Sequence, residues 1–372
     1  MSEEFSVDEL LNPVIIYIHR EYFFHYTFSN STDAFIENIL KNHSTDFKNY
    51  FSRHKDDLEK QDNIFNQLSF VWSFLVENKR YMEGCDFWRY ILSIVNEWEK
   101  ENHSRVHKGS IYYWWGGTEL LQGNIDAGYL LINQAVEEDA ITHKIKNPDT
   151  PAFKTLTLRF DDSNQYWYPI VIEYGKYLQQ RLLNYSTDPT YNLDWLIKKF
   201  LIKPEYLELS VLLSKTTASL YILDNAYLPP LNSIYTSQNL ISVIQQLILI
   251  VDNFYKITHS IHNDMDFDKI CKSYIKDVSG KNDGQMQPEF SYVCECSNRD
   301  LSNTLESIIL NKFVFTNGLS ISKDEKYVYL LYKLRNYSAH DITKSDLVIK
   351  YDQQIKQAAF NLLFGFIKIY SK

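Results

Sequence analysis

Near the C-terminus of the chain, Arg335, Asn336 and His340 stand within six residues of one another. An imidazole titrates at about pH 6.5, so His340 can give or take a proton near neutrality. Arg335 carries a forked, permanently charged donor set whose geometry matches the oxygens of a phosphate. Asn336 can orient the imidazole or add hydrogen bonds to the same phosphate. Asn336 and His340 are four residues apart and share one side of a helix, whereas Arg335 lies roughly 140° around it from His340. A long Arg side chain at a helix end can swing across that angle. The competing reading is a buried Arg-Asn-His cluster that only orders the helix end.

Other chemistry-bearing types are weaker candidates. Cys294 and Cys296, with Cys271 and His262, suggest zinc only loosely, because C-x-C lacks the C-x2-C spacing of common structural sites. His19 and His25 are six residues apart and do not stack on one helix face. Trp114 and Trp115 could stack on nucleic-acid bases or fill a core. No glycine-rich phosphate loop or GxGxxG stretch occurs, so no nucleotide-binding βαβ unit and no cofactor is expected.

The run Leu334-Arg335-Asn336-Tyr337-Ser338-Ala339-His340 resembles the Arg-x(4–6)-His motif of the HEPN superfamily, in which a polar residue commonly follows the Arg. The motif helix and the helix after it carry the resemblance. It implies an all-helical domain and a metal-independent endoribonuclease of the toxin or defence-effector kind, with Arg335, Asn336 and His340 as its site. RNA brings its own nucleophile, the 2′-OH, so His340 would serve as acid or base and Arg335 would stabilise charge on the phosphate. HEPN motifs usually meet at a two-fold interface, which implies a homodimer through the motif helix. The resemblance also allows a non-catalytic module that binds nucleotides or partners a nucleotidyltransferase. A helical adaptor for another protein is the remaining alternative.

The elements that must position these residues read as helices. A capping box, Ser322-Lys323-Asp324-Glu325, opens the motif helix, and Tyr327, Leu330, Leu331 and Leu334 follow on one face. A long apolar helix is expected over 237–259, another over 301–313 and a last one over 345–370, with 263–300 irregular. Upstream, helices are expected across 7–100 and at 166–184, 192–201 and 204–224. The stretch 108–140 predicts a tetratricopeptide-like hairpin, with Gly116, Gly128 and Ala135 permitting close approach and Tyr112, Trp115 and Ile132 filling the seam. Residues 155–160 alternate like a strand without a partner and read as an extended loop. Pro229-Pro230 marks the expected boundary between a helical-repeat body, 1–228, and a HEPN-like bundle, 229–372.

Composition agrees with an all-α chain. Only 11 Gly and 9 Pro among 372 residues favour long elements over turns. The net charge of −9 opposes non-specific coating of nucleic acid. Residues 318–372 nevertheless hold nine Lys and Arg against five Asp and Glu, which suits local binding of a phosphate chain. Four Cys in a chain of this length point to a reducing cytoplasm rather than a disulfide framework. The acidic N-terminus lacks the basic region of a signal peptide, and no run of about 20 apolar residues is expected to span a membrane. The expected partners are an RNA substrate, a second copy, and a regulatory protein on the N-terminal helices.

Overall fold

A computed structural model describes residues 44–146, 149–159, 169–225, 234–261, 265–295, 301–314, 321–340 and 345–371, with the backbone alone for 336–340 and a few other helical positions. Every multi-residue element among them is helical, as the fold class expects. The expected helices before residue 44, the Pro229-Pro230 turn, His262 and Cys296 lie outside the described residues. The chain divides into two compact units, Met1–Leu156 with Asn164–Ile170 and Thr157–Ser163 with Val171–Lys372. That division falls upstream of Pro229-Pro230. Apolar contacts explain why: the helices on either side of the two prolines, Leu207–Asn225 and Ile234–Thr258, pack on each other within the second unit.

The first unit contains α1 (Ser44–Arg53), α2 (Leu58–Glu77), α3 (Tyr81–Asn102), α4 (Gly109–Leu121), α5 (Ile125–His143) and α6 (Pro151–Leu156). Aromatic side chains with one polar atom join successive helices. Trp98 Nε1 donates to Ser52 Oγ at 2.9 Å, tying α3 to α1. Trp72 Nε1 donates to Thr118 Oγ1 at 2.7 Å, tying α2 to α4. The α4–α5 hairpin forms as its small residues require. A Cβ on Gly116 would stand 2.7 Å from Ile132 Cγ1 and 2.9 Å from the Gly128 carbonyl oxygen, so neither backbone could approach as closely. Between the two helices Gly123 turns the chain with φ of 84°, a left-handed conformation natural to glycine.

Two expectations for this unit need correction. Trp114 and Tyr113 are buried, Trp114 against Trp72 of α2, whereas Tyr112 and Trp115 are only half-buried. Residues 155 and 156 end a helix over 151–156 instead of opening an extended loop, and Pro151 starts that helix in its first turn, where its missing N–H is harmless.

The second unit contains α7 (Pro169–Tyr185, from Val171), α8 (Leu193–Leu196, continued by a π-turn to Leu201), α9 (Leu207–Asn225), α10 (Ile234–Thr258), α11 (Phe267–Ser279), α12 (Asp283–Glu295), α13 (Leu301–Ile309), α14 (Lys323–His340), α15 (Ser345–Lys350) and α16 (Asp352–Tyr370). Residues 267–295 form two helices where an irregular segment is expected. The apolar residues Phe267, Ile270, Cys271, Tyr274 and Ile275 recur at helical spacing, and burying that face orders an otherwise polar sequence. The last expected helix is interrupted at Tyr351, between α15 and α16. The stretch Gln238–Thr258 is long and apolar enough by composition to cross a membrane, contrary to the expectation of no such run. Half of it is buried within the unit, where α9, α14, α15 and α16 cover it.

The motif helix α14 is a beam of this unit. Val328, Tyr329, Leu330 and Leu331 are at most 1% exposed, and α10, α11, α12, α13 and α16 all pack on it. On α16 an almost continuous apolar surface from Ile355 to Ile367 completes the core.

Candidate functional site

The start of α14 is fixed by the expected capping box. Glu325 N donates to Ser322 Oγ at 3.3 Å, and Ser322 N donates to Glu325 Oε2 at 3.0 Å. Glu325 is itself buried, and Lys281 neutralises it across the α11–α12 turn: Nζ lies 2.6 Å from Glu325 Oε1 and 3.0 Å from Glu289 Oε2. Burial opposes charge on Glu325, but Lys281 and Ser322 together hold its carboxyl below the ordinary range. Burial likewise opposes charge on Lys281, and its two carboxylate partners outweigh it and raise the ammonium's pKa. Tyr329 completes the group by donating to Glu289 Oε2 at 3.2 Å.

Two turns further along, aromatic packing prepares the position of Arg335. Phe267, the first residue of α11, is 3% exposed and stacks on Tyr332 with an interplanar angle of 3°. The Arg335 guanidinium carbon lies 4.7 Å from the centroid of the same ring, a cation–π contact. Tyr332 and Arg335 are three residues apart on one face of α14, so a single ring can serve both. Arg335 is exposed at this end of α14.

Asn336 and His340 belong to the last turns of α14, and their side chains lie outside the described residues. The helical backbone sets them on one side, one turn apart, with His340 about 7.5 Å along the axis from Arg335. The three residues therefore share the C-terminal end of one well-anchored helix.

The other candidates fall elsewhere. Cys271 is wholly buried in the α11 face, and the side chain of Cys294 lies outside the described residues. Among the described residues no set of three or more His, Cys, Asp or Glu could hold a metal ion. Trp114 is a core residue at 5% exposure, while Trp115 lies beneath the Arg89 guanidinium and donates to Glu119 Oε1 at 3.1 Å.

Two polar assemblies escaped the sequence reading. In the first unit His107 is 3% exposed, with Nε2 3.2 Å from Asp139 Oδ1 and 3.5 Å from Asp62 Oδ1, and Nδ1 2.8 Å from Thr142 Oγ1. Burial raises the pKa of Asp62, and the adjacent His107 and Ser110 oppose that rise. The partners of His107 come from two helices, α2 and α5, so no local spacing reveals the group. In the second unit Arg181 donates to Asp224 Oδ2 at 3.0 Å and to Gln353 Oε1 at 3.0 Å, and Lys356 lies against both Asp224 and Asp352. Here a signal is present: Gln353, Gln357 and Asn361 recur every four residues and form a carboxamide ladder on one face of α16.

Comparison of the chain with protein-family models, with curated proteins and with solved structures finds no match.

Proposed function

We propose that the chain is a metal-independent endoribonuclease whose site is Arg335, Asn336 and His340, acting as a toxin or defence effector in the manner of the HEPN superfamily that the motif resembles. The observation that carries this reading is the exposed Arg335 guanidinium at the C-terminal end of a helix whose middle is buried on several sides. A rigid beam with an exposed cationic end suits a group that must meet a phosphate at a fixed angle.

In the reaction, the neutral imidazole of His340 takes the proton of a ribose 2′-OH, and that oxygen attacks the adjacent phosphorus. The bond to the 5′-oxygen breaks, and the leaving oxygen receives a proton from an imidazolium. Arg335 offsets the charge that builds on the non-bridging oxygens. The products are a 2′,3′-cyclic phosphate and a 5′-hydroxyl. One chain carries one motif, so a second copy across a two-fold axis supplies the second imidazole and guanidinium.

The test is incubation of purified protein with RNA in excess EDTA. Cleavage that yields cyclic phosphate, spares DNA and disappears in His340→Ala supports the assignment. Cleavage of DNA, or a strict Mg²⁺ requirement with a 5′-phosphate product, overturns it.

A further inference from the structure

Within the second unit α7, α14 and α16 enclose a cleft of about 380 Å³, in the size range of small-molecule sites. Its polar wall is unusual in charge and composition. Lys326 projects into it from α14, where Nζ donates to the Ile309 carbonyl at 2.9 Å and to Asn311 Oδ1 at 2.7 Å. Both acceptors are neutral, and they use two of the three ammonium protons. Burial alone acts on the Lys326 pKa, lowering it, so no carboxylate among the described residues compensates this cation. Asn311 reaches it from a left-handed conformation with φ of 57°, which asparagine tolerates better than most residues.

Arg181 stands on the opposite wall. Asp224 balances its charge, but Nη1 has only a long contact, 3.4 Å to Gln357 Oε1, and retains donor capacity toward the cleft. Gln357 is held by Arg181 O at 3.0 Å and by Asn361 Oδ1 at 2.8 Å, so the carboxamide ladder is pre-oriented rather than loose. Gln354 also lines the cleft and makes no hydrogen bond with the described residues. Leu330 supplies apolar floor from α14.

Carboxamides present a donor and an acceptor side by side, the pattern that pairs with neighbouring hydroxyls. An ammonium held only by neutral acceptors has charge and a proton to offer an anion, and lysine is a point-charge binder of phosphate. We infer that the cleft binds a small phosphate monoester carried on a hydroxyl-rich body, its phosphate on Lys326 and its body along the Gln354 and Asn361 wall. The shared chemistry is a phosphorylated sugar, whether it stands alone or forms part of a mononucleotide. This inference does not depend on the ribonuclease assignment, since no cleft residue belongs to the Arg335, Asn336 and His340 set.

Isothermal titration of the full-length His340→Ala protein tests it, so that binding is read whatever that residue does to RNA. The probes are ribose 5-phosphate, adenosine monophosphate, glucose 6-phosphate and inorganic phosphate. Saturable binding of ribose 5-phosphate is expected, at least tenfold tighter than inorganic phosphate. Tighter binding of adenosine monophosphate would identify a nucleotide ligand, and tighter binding of glucose 6-phosphate a free sugar phosphate. Lys326→Met should weaken binding at least tenfold. Because Lys326 also holds the end of α13, Gln354→Ala is the companion variant: it touches no described partner and should weaken ribose 5-phosphate severalfold with an unchanged melting temperature. No binding of any probe, inorganic phosphate binding as tightly as the esters, or undiminished affinity in both variants overturns the inference.

Discussion

The guanidinium of Arg335 rests over the ring of Phe267, 4.7 Å from its centroid, and this contact joins the end of the motif helix to the start of α11. Phe267 thereby does two things. It fills core volume, and it limits where a long, flexible cation can go. The two roles separate by substitution. Phe267→Ala should destabilise the protein by about 3–5 kcal/mol through the cavity it leaves. Phe267→Leu keeps most of the apolar volume and loses the ring face, worth about 0.5–2 kcal/mol. Cleavage by the Leu variant should fall more than its stability does. Equal retention of cleavage and stability in Phe267→Leu would mean that the ring does not position Arg335.

At Arg335 itself, removal of the charge should cost about 10²–10³-fold in cleavage rate. Arg335→Lys should recover little, because an ammonium cannot reproduce the fork. Single-turnover kinetics on a short RNA would measure both. A Lys variant at the wild-type rate would show that only net charge matters there.

The Lys281, Glu289 and Glu325 group predicts a dependence on pH. The folded-state pKa of Glu325 is depressed, so its contribution is present above the ordinary glutamate value of 4.5 and is lost as pH falls through the folded value. Melting temperature should therefore drop more steeply below that pH in the wild type than in Glu325→Gln. The variant should be the less stable of the two at pH 7. Parallel acid profiles for the two proteins would remove Glu325 from the account of stability.

In the first unit Gly116→Ala introduces a Cβ against Ile132 and a backbone carbonyl, and the carbonyl cannot turn away cheaply. A loss of about 1–3 kcal/mol is expected, the usual cost of overpacking. Gly123→Ala meets no atom, but its positive φ strains any residue with a side chain. Chemical denaturation of both variants would rank steric crowding against backbone strain, with Gly116→Ala expected to be the more damaging.

Much of this molecule is legible in its sequence because helices declare themselves locally. The Ser322 and Glu325 capping box, the apolar stripe of α14 and the glycine seam of the α4–α5 hairpin all depend on neighbours three, four or a dozen residues away. The errors share a cause. Which aromatics of α4 are buried is not legible locally, because Tyr113 and Tyr112, like Trp114 and Trp115, are chemically interchangeable until partner helices choose a face. Residues 267–295 looked irregular because Lys281, Asn282 and Asp283 dominate the middle of that stretch, while the apolar face of α11 acquires meaning only against α14. The His107 and Arg181 groups are hidden for a stronger reason. In the second group only the spacing of Gln353, Gln357 and Asn361 is local, and it does not point to Arg181, which lies 176 residues from Gln357.

That separation also has a consequence in time. Gln353 and Gln357, which complete the hydrogen bonds of Arg181 and Asn184, are made about 170 residues after them. At 5–20 residues per second the wait is roughly ten to thirty seconds. From the time each is made until α16 follows, the apolar side of α10 lacks its α16 cover and α14 lacks one of the surfaces that hold it straight. The second unit thus cannot close until α16 has been made. A chain interrupted within α16 leaves the ribosome with an open core, a natural target for chaperones and proteases, and it never presents a finished Arg335 to anything.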